Sequence, residues 1–412
     1  MSQKELLNLA KTIHASVFTM DTHCDINPNN FTEQLNYTQD LETQVTLPKM
    51  ERGGLNAVWL VVYSGQEELN DRAYEVAYSN AIKSFKAIHF LANTIAPDKV
   101  AIAVNAQEVL KIHQQGKKVV MIGVENGYPL GQDLSKLQEF YDLGARYMSL
   151  SHNGHSQLCD SNTGEEDDVW LHNGLSDLGK EVIKEMNRLG MMIDVSHSSR
   201  ESIRQMLQRS KAPVIASHSS ARSLCDHSRN LDDELLLQLK ENGGVVQAVA
   251  FQAYVNKEKH EAREAKLKPI RKSLAVANGI TWFDTFKEMR TSGMSQAEQM
   301  NWYQAYKKIV NMADKLVEDL EGFPPAVDIH DFVDHIDYLV KLIGIDHVGI
   351  SSDFDGGGGV LGWNNASETF NVTFELVSRG YTREQIEKLW SGNILRVLEK
   401  CQEIANTLKS IK

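Results

Sequence analysis

Short apolar runs recur along the chain and alternate with longer stretches in which apolar residues are three or four positions apart. Each run is apolar at successive positions, as expected of a strand covered on both faces, whereas most of the intervening stretches have the spacing of amphipathic helices. Eight such units predict a closed (β/α)8 TIM barrel rather than an open sheet. The eight predicted strands lie at roughly 16–25, 55–64, 117–126, 145–153, 191–199, 213–220, 243–251 and 345–354.

The helix before the fifth predicted strand has clear end signals. Ser176 is a suitable N-cap because its hydroxyl can accept a hydrogen bond from the first helical turn, and Gly190 can end the helix in a left-handed conformation. Apolar residues follow Gly190 directly and lead into the sequence DVSH, which we predict to be the end of the strand.

One region departs from this alternation. From about Tyr254 to Pro325 the chain is rich in charged, helix-favouring residues and is far longer than one barrel crossover requires. We interpret it as a helical insertion, about 254–325, between strands 7 and 8 of the predicted barrel. Since neither a flexible linker nor a repeat divides the sequence, residues 1–412 are predicted to form a single barrel domain that carries this insertion.

Composition and charge narrow the class of protein. The formal net charge of -12 argues against broad binding to nucleic acids or anionic membranes. The four cysteines are far apart and include no Cys-x-x-Cys pair, so the sequence indicates neither a structural zinc knot nor a disulfide framework. It has no run of eighteen apolar residues and no apolar leader near its start, which predicts a cytoplasmic protein.

Six potential metal or proton ligands lie next to apolar runs, at the ends where a parallel barrel opens and active sites are built. This placement separates them from most of the other histidines, such as His89, His113, His172, His260, His330 and His335, which we expect to be structural or solvated. The pattern indicates a two-metal hydrolase site. The six residues are His23, Asp25, Glu125, His197, His218 and Asp353.

Three of these positions carry a further geometric argument. Side chains two apart in a strand point to the same face, so His23 and Asp25 can reach one ion while Cys24 turns away. Glu125 follows six apolar residues; it could cap a helix or pair with a basic residue, but a carboxylate with two oxygens is also suited to bridge two cations about 3.5–4 Å apart.

Asp353 and Asp355 compete for the last position in the site. They share a strand face only if the strand continues to Asp355, and the run Gly356 to Gly359 indicates that it does not. We therefore assign Asp353 to chemistry and Asp355 to holding the turn.

Several segments closely resemble the renal dipeptidase, or membrane dipeptidase, family of metallopeptidases in the amidohydrolase superfamily. They are GLSDLGKEVIKEMNRLGMMIDVSH, PVIASHSSARSLCDHSRNLDDELL, HIDYLVKLIGIDHVGISSDFDG and GVENG, and the resemblance extends from about Asp21 to Asn393. It implies a (β/α)8 barrel with two zinc ions (Zn2+), bridged by Glu125 and a water or hydroxide. The implied ligands are His23, Asp25 and Glu125 for the first ion and Glu125, His197 and His218 for the second.

The same resemblance implies the remaining roles. His152 corresponds to the family's substrate histidine, Arg229 to its carboxylate-binding arginine and Asp353 to its catalytic aspartate. The expected function is hydrolysis of dipeptides by a metal-bridging hydroxide, with acceptance of a D-residue at the carboxyl side as a further hypothesis. A homodimer is the oligomeric state that the resemblance suggests.

Two alternatives remain open. Another amidohydrolase, such as a lactonase, a cyclic amidase or a deaminase, would use the same metal ligands, although Arg229 and His152 favour the dipeptidase. A non-catalytic metal-binding scaffold is the other alternative, and Asp353 argues against it because a scaffold needs no proton shuttle.

The sequence departs from the family at one position of the pocket. Where family members can place a tyrosine near the end of strand seven, this chain has Phe251, which predicts the loss of a hydroxyl from the pocket.

Overall fold

The computed structural model describes residues 2–285, 288–289, 291–294, 296–318 and 320–410. Its centre is a parallel sheet in which eight strands follow one another in the order β1-β2-β4-β5-β6-β7-β8-β9, while β3 pairs with β4 off this path. The strands are β1 Met20–Asp25, β2 Ala57–Tyr63, β3 Val100–Ile102, β4 Lys118–Glu125, β5 Ala145–Ser149, β6 Met192–Asp194, β7 Ile215–Ala216, β8 Val245–Val249 and β9 Val348–Ser351.

The first and last strands meet and bring the sheet to a near-closed barrel. Cys24 of β1 forms a parallel bridge with Phe354, just after β9, and the Asp25 amide donates to the Phe354 carbonyl at 2.8 Å. Below this bridge the buried Asp21 carboxylate accepts a hydrogen bond of 3.0 Å from the Ser352 amide. The predicted (β/α)8 barrel is therefore confirmed, and its strands all end at one rim.

Helices separate most of the strands, and their ends follow local capping chemistry. In the helix Asp177–Leu189, the Ser176 hydroxyl accepts from the Gly179 amide and Gly190 is left-handed (φ 86°), as predicted. The α-helices are Gln3–Ser16, Leu47–Gly53, Asp71–Phe90, Ala106–Gln114, Ser135–Asp142, Asp177–Leu189, Arg200–Arg209, Asp233–Asn242, Gln252–Val255, Lys257–Ala277, Gln296–Val317, Ile329–Ile343, Thr369–Ser378, Arg383–Glu387 and Asn393–Ser410.

The lower part of the barrel interior is filled by large apolar side chains that include Met20, Trp59 and Met192, all fully buried. Tyr147 of β5 lies above them and points across the barrel. Its ring fits because β4 has a glycine at position 123, where a Cβ atom would overlap the phenol. This close approach brings the Tyr147 hydroxyl up to the rim that carries the candidate site.

The chain divides into two compact units, residues 1–255 together with 328–412, and residues 256–327. The first unit contains the barrel. The second follows β8 and precedes β9 in the chain, and its helices Lys257–Ala277 and Gln296–Val317 pack through Leu267, Ala313 and Val317. None of the helices in the described part of the chain is both long enough and apolar enough to cross a membrane.

The observed strands differ from the predicted ones in two ways. β3 was not predicted; its three residues lie in a short apolar run and pair with the start of β4. Most strands are also shorter than predicted: the run 191–199 contains only Met192–Asp194, and the run 16–25 begins as a strand at Met20, because Gln3–Ser16 is a helix. The predicted strands three to eight thus correspond to β4 to β9.

Candidate metal centre

Histidine and carboxylate side chains cluster at the carboxyl-terminal rim of the barrel. β1 supplies two of them and β4 supplies its last residue, while the turns after β6 and β7 each supply a histidine. Four of the five are buried, and the fifth, Asp25, is partly exposed. The cluster consists of His23, Asp25, Glu125, His197 and His218.

Glu125 lies between two groups of ligand atoms. Its Oε2 is 3.6 Å from His23 Nε2, which in turn is 3.7 Å from Asp25 Oδ2. Its Oε1 is 2.9 Å from His197 Nε2 and 3.3 Å from His218 Nε2. The two imidazole nitrogens on this side are 2.9 Å apart. The two oxygens of Glu125 therefore face different sets of side chains. Oε2 faces His23 and, beyond it, Asp25, whereas Oε1 faces His197 and His218.

These separations fit the ligand shells of two divalent ions. Bonds of about 2.0–2.2 Å around a tetrahedral zinc place neighbouring ligand atoms about 3.4 Å apart. Within the described residues, His23 Nε2 is buried and has no hydrogen-bond partner, although it points into the cluster. A buried nitrogen lone pair costs free energy unless something binds it. The donor set thus fits metal ions, and zinc in particular accepts both imidazole and carboxylate ligands.

The electrostatics of the cluster also favour added positive charge. Burial lowers the pKa of His23, but the carboxylates of Glu125, Asp25 and Asp353 outweigh this effect and raise it to about 10. Burial, together with the charge of Glu125, raises the pKa of Asp25 well above its usual value. The field of three adjacent carboxylates therefore favours a cation at their centre.

Each ligand histidine has a hydrogen-bond partner at Nδ1, the ring nitrogen that does not point towards Glu125. Such contacts fix the orientation of the imidazole ring. The Nδ1 partners are Asn153 Oδ1 for His197 at 3.1 Å, Ser217 Oγ for His218 at 2.8 Å and Tyr147 Oη for His23 at 3.1 Å.

The backbone is strained at two of the site residues. His197 and Asp353 are left-handed, with φ of 71° and 57°, a conformation that non-glycine residues adopt infrequently. Both lie just beyond the end of a short strand. Both side chains face the cluster, and backbone strain of this kind is common at functional sites.

Asp353 and Asp355 have different surroundings. Asp353 Oδ1 lies 3.9 Å from His23 Nε2, and burial raises its pKa to about 7 against the opposing charge of His23. The Asp355 carboxylate instead accepts hydrogen bonds from the backbone amides of Gln44 and Val45 at 3.0–3.3 Å. Asp355 therefore fastens the loop after β1, whereas Asp353 faces the cluster.

His152 lies after β5, on the second side of the cluster. Its Nε2 is 3.9 Å from Glu125 Oε1, and its ring packs edge-on against Tyr63 at 4.9 Å. Glu125, His152 and His197 can also converge on one point. His152 is therefore close enough either to contact a substrate at the metals or to complete a ligand shell.

Arg229 is a buried cation beside the cluster. Its guanidinium donates to the His218 carbonyl at 3.1 Å, while its Nε has no hydrogen-bond partner among the described residues. None of the carboxylates in the described ranges forms an ion pair with it within 4.0 Å. An unpaired buried guanidinium favours an anionic ligand.

A tyrosine that the sequence analysis missed lies against Arg229. The guanidinium is 5.4 Å from the centre of the Tyr254 ring, which stacks on Phe251 at 4.2 Å. Burial raises the pKa of Tyr254, and the charge of Asp353 acts in the same direction. The expected loss of a hydroxyl at Phe251 is thus offset by a phenol three residues further along the chain.

The structure brings all the sequence-predicted side chains to one rim. Their individual roles remain predictions. Sequence reasoning missed five residues that contact them directly or through Ser217, and for Tyr147, Asp194 and Ser217 the available signal was a polar residue inside or directly after an apolar strand. The missed residues are Tyr147, Asn153, Asp194, Ser217 and Tyr254.

Comparisons with known proteins agree with this geometry. A model of the membrane dipeptidase family, peptidase family M19, matches residues 7–412. Dipeptidase aclJ of Aspergillus oryzae is 30% identical over 385 residues, which cover 92% of this chain and 74% of that protein. Dipeptidase tcpJ of Claviceps purpurea is 28% identical over 379 residues, which cover 91% and 73% of the two chains.

Solved structures show the same fold. The probable dipeptidase PvdM from Pseudomonas aeruginosa superposes with a TM-score of 0.77 at 29% identity, covering 98% of this chain and 100% of that one. A metallopeptidase from Rhodobacter sphaeroides, solved with a phosphinate mimic of the dipeptide L-Ala-D-Ala, has a TM-score of 0.69 at 20% identity, covering 93% and 99% of the two chains.

Proposed function

Because the chain belongs to the membrane dipeptidase family of metallopeptidases, M19, we propose that it is a zinc-dependent dipeptidase that hydrolyses the peptide bond of dipeptides. The observation that carries this proposal is the position of Glu125, whose two oxygens face two separate sets of buried ligands. A site for one ion does not require a carboxylate whose two oxygens face different ligand sets, whereas two cations close together need a shared anion between them.

The residues present would hold two divalent ions. His23 and Asp25 would bind the first and His197 and His218 the second, with Glu125 shared between them. When bound, such ions supply Lewis acidity and lower the pKa of nearby water. The buried position of the ligands would exclude bulk water, which strengthens every charge interaction in the site.

Asp353 would move the proton. It is buried, and its Oδ1 lies 3.9 Å from His23 Nε2. From there it can accept the proton of the attacking water and return it to the leaving amine, so one carboxylate serves as base and then as acid. His152 would donate a hydrogen bond to the substrate carbonyl oxygen, whose negative charge grows in the transition state.

Arg229 would select the length of the substrate. Its planar guanidinium matches a free carboxylate, and it contacts the carbonyl of the ligand residue His218. A carboxylate held so close to the metals leaves room for one residue beyond the scissile bond. This supports dipeptides, rather than longer peptides, as substrates.

We also propose that a D-residue is accepted at the carboxyl side. Arg229 would bind the carboxylate, a group that D- and L-residues share, so this contact does not itself discriminate between them. The ligand of the Rhodobacter sphaeroides metallopeptidase mimics L-Ala-D-Ala, which fits this proposal. Comparing matched L,L and L,D dipeptides tests it, and failure to cleave any L,D member would refute it.

The test of the proposed function combines metal analysis with a dipeptide panel. The purified protein should contain two zinc ions per chain and release free amino acids from dipeptides. Glu125→Gln should lose zinc and turnover, because it keeps the shape but removes the charge that screens two cations from each other. His197→Ala and His218→Ala should each lower the zinc content.

Two results would contradict the assignment. Retention of both ions and full activity in Glu125→Gln would show that Glu125 is not the bridge. Turnover of a lactone or a cyclic amide, but of no dipeptide, would instead support a different amidohydrolase.

A further inference from the structure

Two polar residues inside the barrel have no part in the proposed chemistry. Asp194 is the last residue of β6 and Ser217 follows β7 directly, and both are fully buried. The Ser217 hydroxyl donates to Asp194 Oδ2 at 2.6 Å. Asp194 Oδ1 accepts from the backbone amides of Ser217 at 2.8 Å and Ser196 at 3.0 Å. Backbone amides thus hold one oxygen of the Asp194 carboxylate, and the Ser217 hydroxyl holds the other.

This arrangement sets the direction of the next hydrogen bond. A serine hydroxyl has one proton, and here Asp194 accepts it. The Ser217 oxygen can therefore only accept from His218 Nδ1, which lies 2.8 Å away. His218 must carry its proton on Nδ1, and the lone pair of its neutral ring is then on Nε2, the nitrogen that faces Glu125.

The hydrogen bond at His23 Nδ1 has the same direction, from the ring nitrogen to a hydroxyl oxygen. The Tyr147 hydroxyl donates to the Thr22 carbonyl at 3.1 Å, so its oxygen accepts from His23 Nδ1 at 3.1 Å. Ser217 Oγ also lies 3.5 Å from this nitrogen. The rings of His23 and His218 are 3.8 Å apart at their centres. One buried network therefore reaches a histidine in each of the two ligand sets.

We propose that Asp194 is a positioning residue which, through the Ser217 hydroxyl, fixes the Nδ1–H tautomer of His218 and so prepares its Nε2 to bind metal. With Tyr147 holding His23 in the same way, the network orients one ligand of each ion. The inference rests on the proposed metal centre, but it concerns metal affinity and ring tautomer rather than turnover.

Asp194→Asn should reverse the network rather than merely weaken it. The two backbone amides on Oδ1 would retain the amide oxygen, so the new NH2 group would replace Oδ2 and face Ser217. It would donate to the Ser217 oxygen, and the hydroxyl would then donate to His218 Nδ1. That hydrogen bond selects the tautomer with its proton on Nε2, which blocks the metal-binding nitrogen.

The experiment measures zinc affinity by chelator competition in the full-length protein. Asp194→Asn should weaken binding of at least one ion by about 10–100-fold. Ser217→Ala should also weaken it, because it removes the relay and leaves Asp194 in place. Asp21→Asn is the matched control: Asp21 is equally buried, but among the described residues its donors are backbone amides, the Ser352 hydroxyl and the Cys24 thiol, not a group that holds an imidazole ring. Its zinc affinity should not change.

Nitrogen-15 NMR of labelled histidines gives a second readout that loss of stability alone would not change. The metal-free wild type should show the His218 proton on Nδ1, and Asp194→Asn should show it on Nε2. Wild-type zinc affinity in Asp194→Asn, or an unchanged His218 tautomer, would overturn the proposal. If that variant does not fold, unchanged zinc affinity in Ser217→Ala overturns it instead.

These outcomes are separate from failure of the proposed function. A wild type that binds two zinc ions and cleaves no dipeptide would refute the dipeptidase but leave the tautomer proposal intact.

Discussion

At the scale of single residues, Asp353 and Asp355 provide the sharpest test of mechanism. Asp353→Asn is nearly isosteric, and asparagine tolerates the left-handed backbone at this position. The variant should keep both metals while kcat falls by about two to four powers of ten, the usual contribution of a positioned acid–base group. Zinc content and kcat, measured on the same preparation, check this expectation.

The matched variant is Asp355→Asn. It weakens charge-assisted hydrogen bonds from Gln44 and Val45, each worth about 1.5–3 kcal/mol, and should lower Tm more than kcat. If Asp353→Asn kept wild-type kcat while Asp355→Asn lost it with zinc retained, the proton shuttle would have to be Asp355.

Arg229 allows binding to be separated from chemistry. Lysine in its place keeps one positive charge but loses the forked pair of donors, so kcat/KM for dipeptides should fall by about one to three powers of ten. An amide substrate without the free carboxylate should be affected far less. An equal loss on both substrates would indicate that Arg229 has only a structural role.

The residues that cluster at the rim could be selected from the sequence because their types are rare directly after apolar strands, and their roles as ligands stay predictions. His23, Glu125 and His218 were identified on this basis. The residues that orient them were not, because serine and tyrosine are common in proteins and their significance depends on which atom they approach. Ser217 matters because its hydroxyl lies between Asp194 and His218, and this contact exists only once β6 and β7 are side by side.

At the scale of elements, the turn after β9 holds Asp353 in place. The Gly358 amide donates to the Asp353 carbonyl at 2.8 Å, and a Cβ atom at Gly358 would overlap the Ser352 carbonyl oxygen. Gly358→Ala should therefore displace the turn and lower kcat by about 10²-fold, the expected cost of a displacement near 1 Å. Steady-state kinetics on the zinc-loaded protein measures this effect.

The control is the same substitution at Gly392. There an added Cβ would meet its nearest neighbour, the Glu387 carbonyl oxygen, at an ordinary contact distance of 3.5 Å. Gly392→Ala should leave kcat unchanged. Equal activity in the two alanine variants would show that the turn does not position Asp353.

Strand boundaries were predicted less well than strand existence. An apolar run shows that a segment is buried, but not where its hydrogen bonds to the neighbouring strand stop. β7 has only two residues, Ile215–Ala216, although the apolar run around it is longer. The chain leaves the sheet early after β6 and β7 because His197 and His218 must turn into the barrel mouth.

At the scale of the whole molecule, metal binding and stability should be coupled. The proposed ligands come from β1, β4 and the turns after β6 and β7, so two bound ions would connect distant parts of the barrel. Removing zinc with a chelator should lower Tm, and adding zinc back should restore it. At free zinc a hundredfold above Kd, each ion stabilises the fold by about 2.7 kcal/mol.

His218→Ala is the control for this measurement, because its Tm should respond less to the chelator. If the wild-type Tm were the same with and without zinc, the ions would not connect the strands as the geometry indicates.

At this scale the sequence predicted the barrel class correctly, because eight regular alternations of strand and helix are compatible with few other folds. The homodimer and the cytoplasmic location stay predictions.

The bridge between Cys24 and Phe354 has a consequence for the order in which the protein matures during synthesis. Cys24 leaves the ribosome about 330 residues before Phe354, and contacts of such long range form late in folding. Until β9 has formed, the barrel remains open between β1 and β8, beside the proposed metal ligands. Zinc captured earlier would bind there without the Asp353 carboxylate, so hydrolytic competence should be acquired only once Phe354 has paired with Cys24.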